Sequence, residues 1–131
     1  MTKQVLVPDE KGRNFARAVR TGQFLFISGM TGQWDLKTWE RDPRAVGDVT
    51  YQTRRIFEWA QQVLAACGLT LADVVSTTTF LRSMKDLEAV SRAKREFAPT
   101  LAAASTTVAV SELVGVGDIE INFIAVFPDG K

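Results

Sequence analysis

Residues 105–127 constrain the fold more than any other part of the sequence. Toward their end, the apolar residues Ile119, Ile121 and Phe123 alternate with the polar residues Glu120 and Asn122. Because successive side chains of a β-strand point to opposite faces, the apolar set is predicted to enter the core and the polar pair to lie on the other face. Residues 105–110 are small or β-branched and predict a second strand. A polar pair on a sheet either meets water or builds a site.

The first half of the chain reads as a hairpin, a loop and a helix. Strands are predicted over 15–20 and 24–28, with Gly22 giving the turn its freedom. Residues 30–46 mix Trp, Gly, Pro and charges, and are predicted to form a long loop that could include a short strand. Apolar residues then recur at helical spacing between Asp48, a favourable N-cap, and Gly68, a favourable C-terminal stop.

The second half adds a strand and a helix before the stretch described first. Residues 74–81 are rich in β-branched side chains and predict a strand, and a helix is expected from Lys85 or Asp86 to Pro99. This order predicts an α+β two-layer domain over residues 1–131, with a mixed sheet of about five or six strands and two helices on one face. Several strands are apolar on both faces, so the open sheet face is expected to meet a second copy.

Composition excludes several kinds of chemistry. The net charge of the 131 residues is +1, which gives no electrostatic case for binding nucleic acid or a membrane surface. The sequence has no histidine and one cysteine, Cys67, so ordinary zinc sites and Cys–His nucleophile pairs are excluded. The absence of a long apolar run and of a signal-peptide pattern leads us to expect a cytoplasmic location.

Several segments, taken together, resemble the Rid family, the reactive intermediate deaminases also called YjgF or endoribonuclease L-PSP proteins. They are FLFISG (24–29), GDVTYQTRRIFEW (47–59), LTLADVVSTTTFLRSMKDLEAV (69–90), REF (95–97), STTVAV (105–110) and IEINFIAV (119–126). They stand in the family's order and spacing and cover nearly the whole chain. The resemblance implies a chorismate-mutase-like fold and a homotrimer with ligand clefts between its subunits.

The resemblance also implies an activity. Many family members hydrolyse enamines and imines, such as 2-aminoacrylate, to a ketoacid and ammonia without cofactor or metal. An arginine clamps the substrate carboxylate and a glutamate of the last strand activates or positions water; these family positions fall on Ser105 and Asn122. The family's tyrosine near the N-terminus falls on Phe15, and its glutamine after Ser-Gly falls on Met30.

These replacements imply a changed substrate. Serine cannot hold a carboxylate as a bidentate cation does, and asparagine cannot accept a proton at neutral pH, although it can orient water. We therefore expect a cofactor-free deaminase or hydrolase acting on an enamine, imine or related intermediate other than 2-aminoacrylate. The alternative is a non-catalytic, ligand-binding or regulatory member. The ribonuclease activity in the family's older name is disfavoured by the neutral charge and the lack of histidine.

The predicted site draws on the loops and strands named above. Asn122, as a water-orienting residue, and Thr107 are expected to be catalytic. The expected substrate-binding residues are Phe15, Ser28, Gly29, Met30, Trp34, Ser105 and Thr106. Each of these polar residues also has a plain structural explanation, as a sheet or loop residue. Glu120 is assigned to a structural ion pair in preference to the site. Arg17 and Arg20 could supply the missing cation from the first strand, although a solvated strand face is the more common role of such residues.

Overall fold

The computed structural model describes residues 2–129 and contains a six-stranded mixed sheet with two helices. In chain order the elements are β1 (Lys3–Pro8), β2 (Ala16–Thr21), β3 (Phe24–Thr31), α1 (Val49–Ala66), β4 (Val74–Leu81), α2 (Leu87–Phe97), β5 (Ala104–Ala109) and β6 (Ile119–Val126). The strand order in the sheet is β1-β2-β3-β6-β4-β5. The α+β two-layer fold is thereby confirmed. Met1, Gly130 and Lys131, which belong to the domain expected over 1–131, lie outside the described residues.

Two sequence predictions need correction. Strand β1 was not predicted, because its residues are mostly exposed at the edge of the sheet and lack a clear apolar alternation. Strand β3 runs on to Thr31, so the loop expected from residue 30 begins later. The loop also has structure of its own, since Trp34 and Arg41 form an antiparallel bridge across it.

Helix α1 begins and ends where its sequence signals predict. The carboxylate of Asp48 accepts a hydrogen bond of 2.9 Å from the backbone N–H of Tyr51, and Gly68 follows the helix with φ of +76°. That left-handed conformation strains any residue with a side chain, which is why glycine serves as the stop. The buried side of the helix packs on the sheet, where the rings of Phe57 and Phe123 meet edge to face at 5.7 Å.

Strand β6 lies between β3 and β4 and alternates as predicted. Its odd-numbered residues are buried beneath the helices, while Glu120 and Asn122 are only partly buried on the other face. On that face the large side chains Phe24 and Phe26 are 50% and 45% exposed. The helices thus cover one face of the sheet and leave the other open. Within residues 2–129 no helix has the length and apolar character needed to cross a membrane.

Candidate functional site

A cleft of about 230 Å³ opens beside β3 and β6. It lies between the segment that leads into β2 and the loop that follows β3. We call it the Glu120 cleft. Its lining combines aromatic side chains with charges of both signs: Glu10, Lys11, Arg13, Phe15, Arg17, Gly29, Met30, Thr31, Trp34, Trp39, Val114 and Glu120. A concave site with aromatic walls and a few converging polar groups is typical of small-molecule binding.

A bulge in β3 creates the space for the carboxylate. Pairing between β3 and β6 is regular as far as Ile27 opposite Phe123, then shifts and resumes at Met30 opposite Ile121. Gly29 lies inside this irregularity, and a methyl group added to it would lie 2.6 Å from Oε2 of Glu120. Only a glycine therefore lets this carboxylate lie against the β3 backbone.

Glu120 is an electrostatically unusual carboxylate. Its side chain is partly buried, and this burial raises its pKa above the ordinary value of 4.5. The ion pair that the sequence analysis assigned to Glu120 is not formed with any residue of the described part of the chain. A desolvated carboxylate that lacks a cationic partner holds a proton more readily and exchanges it more easily near neutral pH.

Arg17 is not on a solvated strand face, as the sequence suggested, but is only 7% exposed. Its guanidinium donates to both carboxylate oxygens of Glu10, at 3.0 and 2.5 Å, and lies 3.4 Å from Asp9. It also lies over the rings of Phe15 and Trp39, with centroid distances of 5.1 and 5.2 Å. The expectation was wrong because the segment between β1 and β2 folds over this side chain.

A second arginine completes a balanced set of charges. Arg13 donates to both carboxylate oxygens of Asp9, at 2.8 and 2.9 Å. The side-chain hydrogen bond from Arg13 is the main reason that the pKa of Asp9 lies well below its usual range. Asp9 and Glu10 thus neutralise two arginines beside the cleft, and neither arginine forms an ion pair with Glu120.

Two tryptophans from the loop after β3 form an aromatic wall of the cleft. Both Trp34 and Trp39 line it. The backbone of Trp39 has φ of +59°, the left-handed region that bulky residues rarely adopt, and its N–H donates to the carbonyl of Asp35 at 2.7 Å. Such a strained conformation persists only where surrounding contacts fix it, and it often accompanies a functional site.

Gln33 fixes the loop that borders the cleft on its other side. Its fully buried amide donates to the hydroxyl of Thr31 at 2.6 Å and to the carbonyl of Val114 at 2.8 Å. Its Oε1 accepts a 3.0 Å hydrogen bond from the N–H of Val116. At Gly115 (φ +64°) a methyl group would lie 2.4 Å from that oxygen, so the loop approaches Gln33 through a glycine.

The cleft brings together several of the residues predicted from the sequence. Phe15, Gly29, Met30 and Trp34 line it. Ser28 lies beside it and donates its hydroxyl to the carbonyl of Ala16 at 2.6 Å, a structural contact. Asn122 shares the sheet face of Glu120, but within one chain it does not line the cleft.

The predicted residues of β5 lie elsewhere in the chain. Strands β6 and β4 separate β5 from β3, so Ser105, Thr106 and Thr107 stand at the far edge of the sheet from the cleft. Ser105 lies opposite Thr77 in the pairing of β5 with β4, on the sheet face that the helices cover. Thr106 lies on the other face of the sheet. A second copy would have to bring β5 to the Glu120 cleft, so the roles of Thr107 and Asn122 stay predictions.

Glu120 and Arg17 line the cleft, although the sequence analysis preferred a structural role for each of them. The available signal was the Ser28-Gly29-Met30 segment, in which a glycine follows an apolar strand. A glycine within a strand indicates a bulge or the close approach of another group, and here it indicates both. For Arg17 the sequence offered no signal, since its carboxylate partners precede β2 in a segment of irregular structure.

Comparison with known proteins agrees with this fold. Residues 9–127 match the family model described as Endoribonuclease L-PSP. The chain is 34% identical over 111 residues to a RutC family protein of Pyrococcus horikoshii, with 85% of each protein covered. It is 29% identical over 112 residues to a 2-iminobutanoate/2-iminopropanoate deaminase of Dermatophagoides farinae, covering 86% of this chain and 84% of that protein.

Solved structures of other proteins show the same fold. RidA from an Antarctic Psychrobacter species superposes with a TM-score of 0.80 at 25% identity, over 95% of this chain and 96% of that one. TdcF of E. coli, solved with bound serine, gives a TM-score of 0.76 at 25% identity, over 87% and 88%. The fold is thus that of the chorismate-mutase-like α+β proteins. The chain belongs to the endoribonuclease L-PSP family, also called the Rid or YjgF family.

Proposed function

We propose that the Glu120 cleft hydrolyses the C–N bond of a small enamine or imine and releases ammonia without a cofactor. The observation that carries the proposal is the partly buried Glu120 carboxylate, which lies against Gly29 in an aromatic-walled cleft and has no ion-pair partner among residues 2–129. The deaminase among the relatives supports a deaminase-like role at the level of the family.

The chemistry follows from a carboxylate that can both take and give a proton. Water adds to the imine carbon while the carboxylate of Glu120 accepts a proton from it. The protonated Glu120 then gives that proton to the nitrogen, which yields a carbinolamine. The carboxylate next takes the hydroxyl proton of the carbinolamine and passes it to the nitrogen, so that the C–N bond breaks, the carbonyl forms and ammonia leaves. An enamine first gains a proton at carbon to become the imine. Because burial raises the pKa of Glu120, both protonation states are closer in energy near neutral pH.

The walls of the cleft favour a neutral or aromatic substrate. Phe15, Met30, Trp34 and Trp39 supply apolar and planar contacts. The guanidinium of Arg17 already donates hydrogen bonds to both carboxylate oxygens of Glu10, so it is not available to bind a substrate carboxylate. Together with the serine at position 105, this supports a substrate other than 2-aminoacrylate.

We propose further that the protein acts as a homotrimer in the cytoplasm. The open sheet face carries the half-exposed rings of Phe24 and Phe26, and a face of this kind is usually buried in an assembly. Light scattering on wild type should give a trimer, and Phe26→Glu should shift the mass toward the monomer. A wild-type protein that remains monomeric at high concentration would contradict this part.

The substrate class is tested by supplying imines generated in solution, from alanine by an amino acid oxidase and from 2-phenylethylamine by an amine oxidase. Ammonia release above the uncatalysed rate is measured with and without the protein. We expect acceleration for the imine from 2-phenylethylamine, which is aromatic and carries no carboxylate, and little for the imine from alanine. Saturable binding of these compounds with no acceleration would instead support a non-catalytic, ligand-binding role.

A further inference from the structure

Glu10 occupies the hydrogen-bonding groups of the buried arginine in the Glu120 cleft. Nε of Arg17 donates to one oxygen of Glu10 at 3.0 Å, and a terminal nitrogen donates to the other at 2.5 Å. We call these two nitrogens the Arg17 fork; a guanidinium binds any carboxylate in this two-point way. Both residues line the cleft, where the side chain of Glu10 is 27% exposed and that of Arg17 8%. Glu10 thus takes the place that a ligand carboxylate would take.

The charges around the Arg17 fork balance only while Glu10 is present. The hydrogen bond from Arg17 lowers the pKa of Glu10 below its ordinary 4.5, so Glu10 is ionised at neutral pH. Among residues 2–129 the other carboxylate in ion-pair contact with Arg17 is Asp9, at 3.4 Å, and both of its oxygens accept hydrogen bonds from Arg13. Without Glu10 the two arginines would face one carboxylate, and a buried arginine would lack its main partner. Such a loss is costly, and a bound carboxylate offsets it.

Aromatic rings hold the guanidinium of Arg17 at the cleft independently of Glu10. The guanidinium carbon lies 5.1, 5.2 and 5.6 Å from the ring centroids of Phe15, Trp39 and Trp59. Cation–π contacts of this kind stabilise an arginine that is removed from water. Loss of the Glu10 carboxylate should therefore leave the Arg17 fork in place and open to the cleft.

We propose that Glu10 is a specificity-determining residue, which excludes carboxylate-bearing imines from the Glu120 cleft by occupying the Arg17 fork. The inference rests on the proposed function and names the imines that the cleft accepts: those derived from amines, and not those derived from amino acids. The negative charge of Glu10 adds to the exclusion by repelling a second carboxylate. The cleft measures about 230 Å³, so a small imine bound through Arg17 would share that space with the Glu120 carboxylate.

Titration calorimetry with sodium propanoate on the full chain tests whether Glu10 fills a carboxylate site. Glu10→Ala should bind propanoate about tenfold or more tightly than wild type does, with no gain for the uncharged propanamide. Glu112→Ala, which changes an exposed glutamate outside the cleft, should bind propanoate as wild type does. The gain should vanish in Glu10→Ala/Arg17→Met. A folded Glu10→Ala protein without the gain, or a gain that persists without Arg17, would overturn the proposal.

Thermal unfolding gives a second measurement on the same variants. Glu10→Ala should melt below wild type because Arg17 loses its partner, and propanoate should restore part of that loss while leaving wild type unchanged. Glu10→Gln keeps the size of the side chain and removes only its charge, so it should show a smaller stabilisation by propanoate. Equal effects of propanoate on wild type and on both variants would contradict an occupied carboxylate site.

Ammonia release tests the consequence for the reaction. In Glu10→Ala the kcat/KM for the imine from alanine should increase about tenfold or more, with no increase for the imine from 2-phenylethylamine. Glu112→Ala should leave the ratio of the two rates unchanged. An unchanged ratio in a Glu10→Ala protein that binds propanoate would overturn the specificity role. If wild type accelerates neither imine, the proposed reaction fails, and the propanoate measurements still decide whether Glu10 occupies a carboxylate site.

Discussion

The carboxylate of Glu120 lies so close to the backbone of Gly29 that a methyl group there would come within 2.6 Å of its Oε2. This contact joins the bulged part of β3 to the central strand β6 and fixes where the carboxylate enters the cleft. The position of the proposed catalytic group thus depends on a residue that has no side chain.

Gly29→Ala is expected to reduce activity more than stability. The added methyl group meets only the end of a flexible side chain, so Glu120 moves and the fold persists. A displacement of about 1 Å in a reacting group can cost about 100-fold in rate. Ammonia release and thermal unfolding measure the two effects.

Gly32→Ala is the contrasting control. A methyl group there would lie 2.1 Å from the backbone carbonyl oxygen of Gln52 in α1, which cannot rotate away. This variant should lose about 1–3 kcal/mol of stability by overpacking. If Gly29→Ala retained full activity, the contact with Glu120 would not position a catalytic group.

The raised pKa of Glu120 predicts the pH dependence of the rate. The carboxylate form accepts the proton from water, so the rate should increase with pH through a pKa above the 4.5 of an ordinary glutamate. A rate profile over the acid range measures that pKa. If the rate instead increased with an apparent pKa at or below 4.5, a group other than Glu120 would control the rate.

The same shift predicts how stability changes with pH. The folded chain holds the proton of Glu120 more tightly than the unfolded chain, whose pKa is near 4.5. The free energy of unfolding therefore loses a contribution as pH rises from that value through the folded-state pKa. Glu120→Gln should remove this loss, so its stability relative to wild type should be greater near pH 8 than near pH 4 in urea titrations.

Gln33→Ala should loosen the loop beside the cleft. The variant leaves the N–H of Val116 and the carbonyl of Val114 without their partner and opens a cavity at a fully buried position. We expect a loss of about 2 kcal/mol or more in unfolding free energy. Amide hydrogen exchange at Val116 should accelerate beyond the global change, and equal acceleration throughout the chain would contradict this role.

Asp42 is predicted to stabilise the fold against acid. Hydrogen bonds from Arg44, and then from the hydroxyl of Tyr51, hold its pKa well below the ordinary 3.8. Its contribution is therefore present above 3.8 and is lost as pH falls below that value toward the folded-state pKa. Asp42→Asn should flatten the acid side of the stability curve. Asp48→Asn, which preserves the helix cap, is the control.

The fold could be predicted from the sequence because local and long-range signals agree. The alternation from Ile119 to Phe123 places one face of β6 in the core, and Asp48 and Gly68 bound α1 as their side-chain chemistry requires. The residues of β1 give no such combined signal, because an exposed edge strand needs neither a buried face nor a strict alternation of apolar and polar residues.

The candidate site was predicted only in part. Phe15, Gly29, Met30 and Trp34 meet in the cleft, but the carboxylate that faces them is Glu120. An ion pair for that residue is the ordinary expectation for a charged side chain on a sheet. Whether it forms depends on the three-dimensional position of every cation nearby, which sequence spacing does not give.

The most direct test of the account is the rate of ammonia release by Glu120→Gln on the best imine substrate. Glu112→Gln, which changes an exposed glutamate that does not line the cleft, is the matched control. The account predicts that Glu120→Gln loses about 100-fold or more in kcat while it remains folded, and that Glu112→Gln matches wild type. A folded Glu120→Gln protein that releases ammonia at the wild-type rate would contradict the role of this carboxylate.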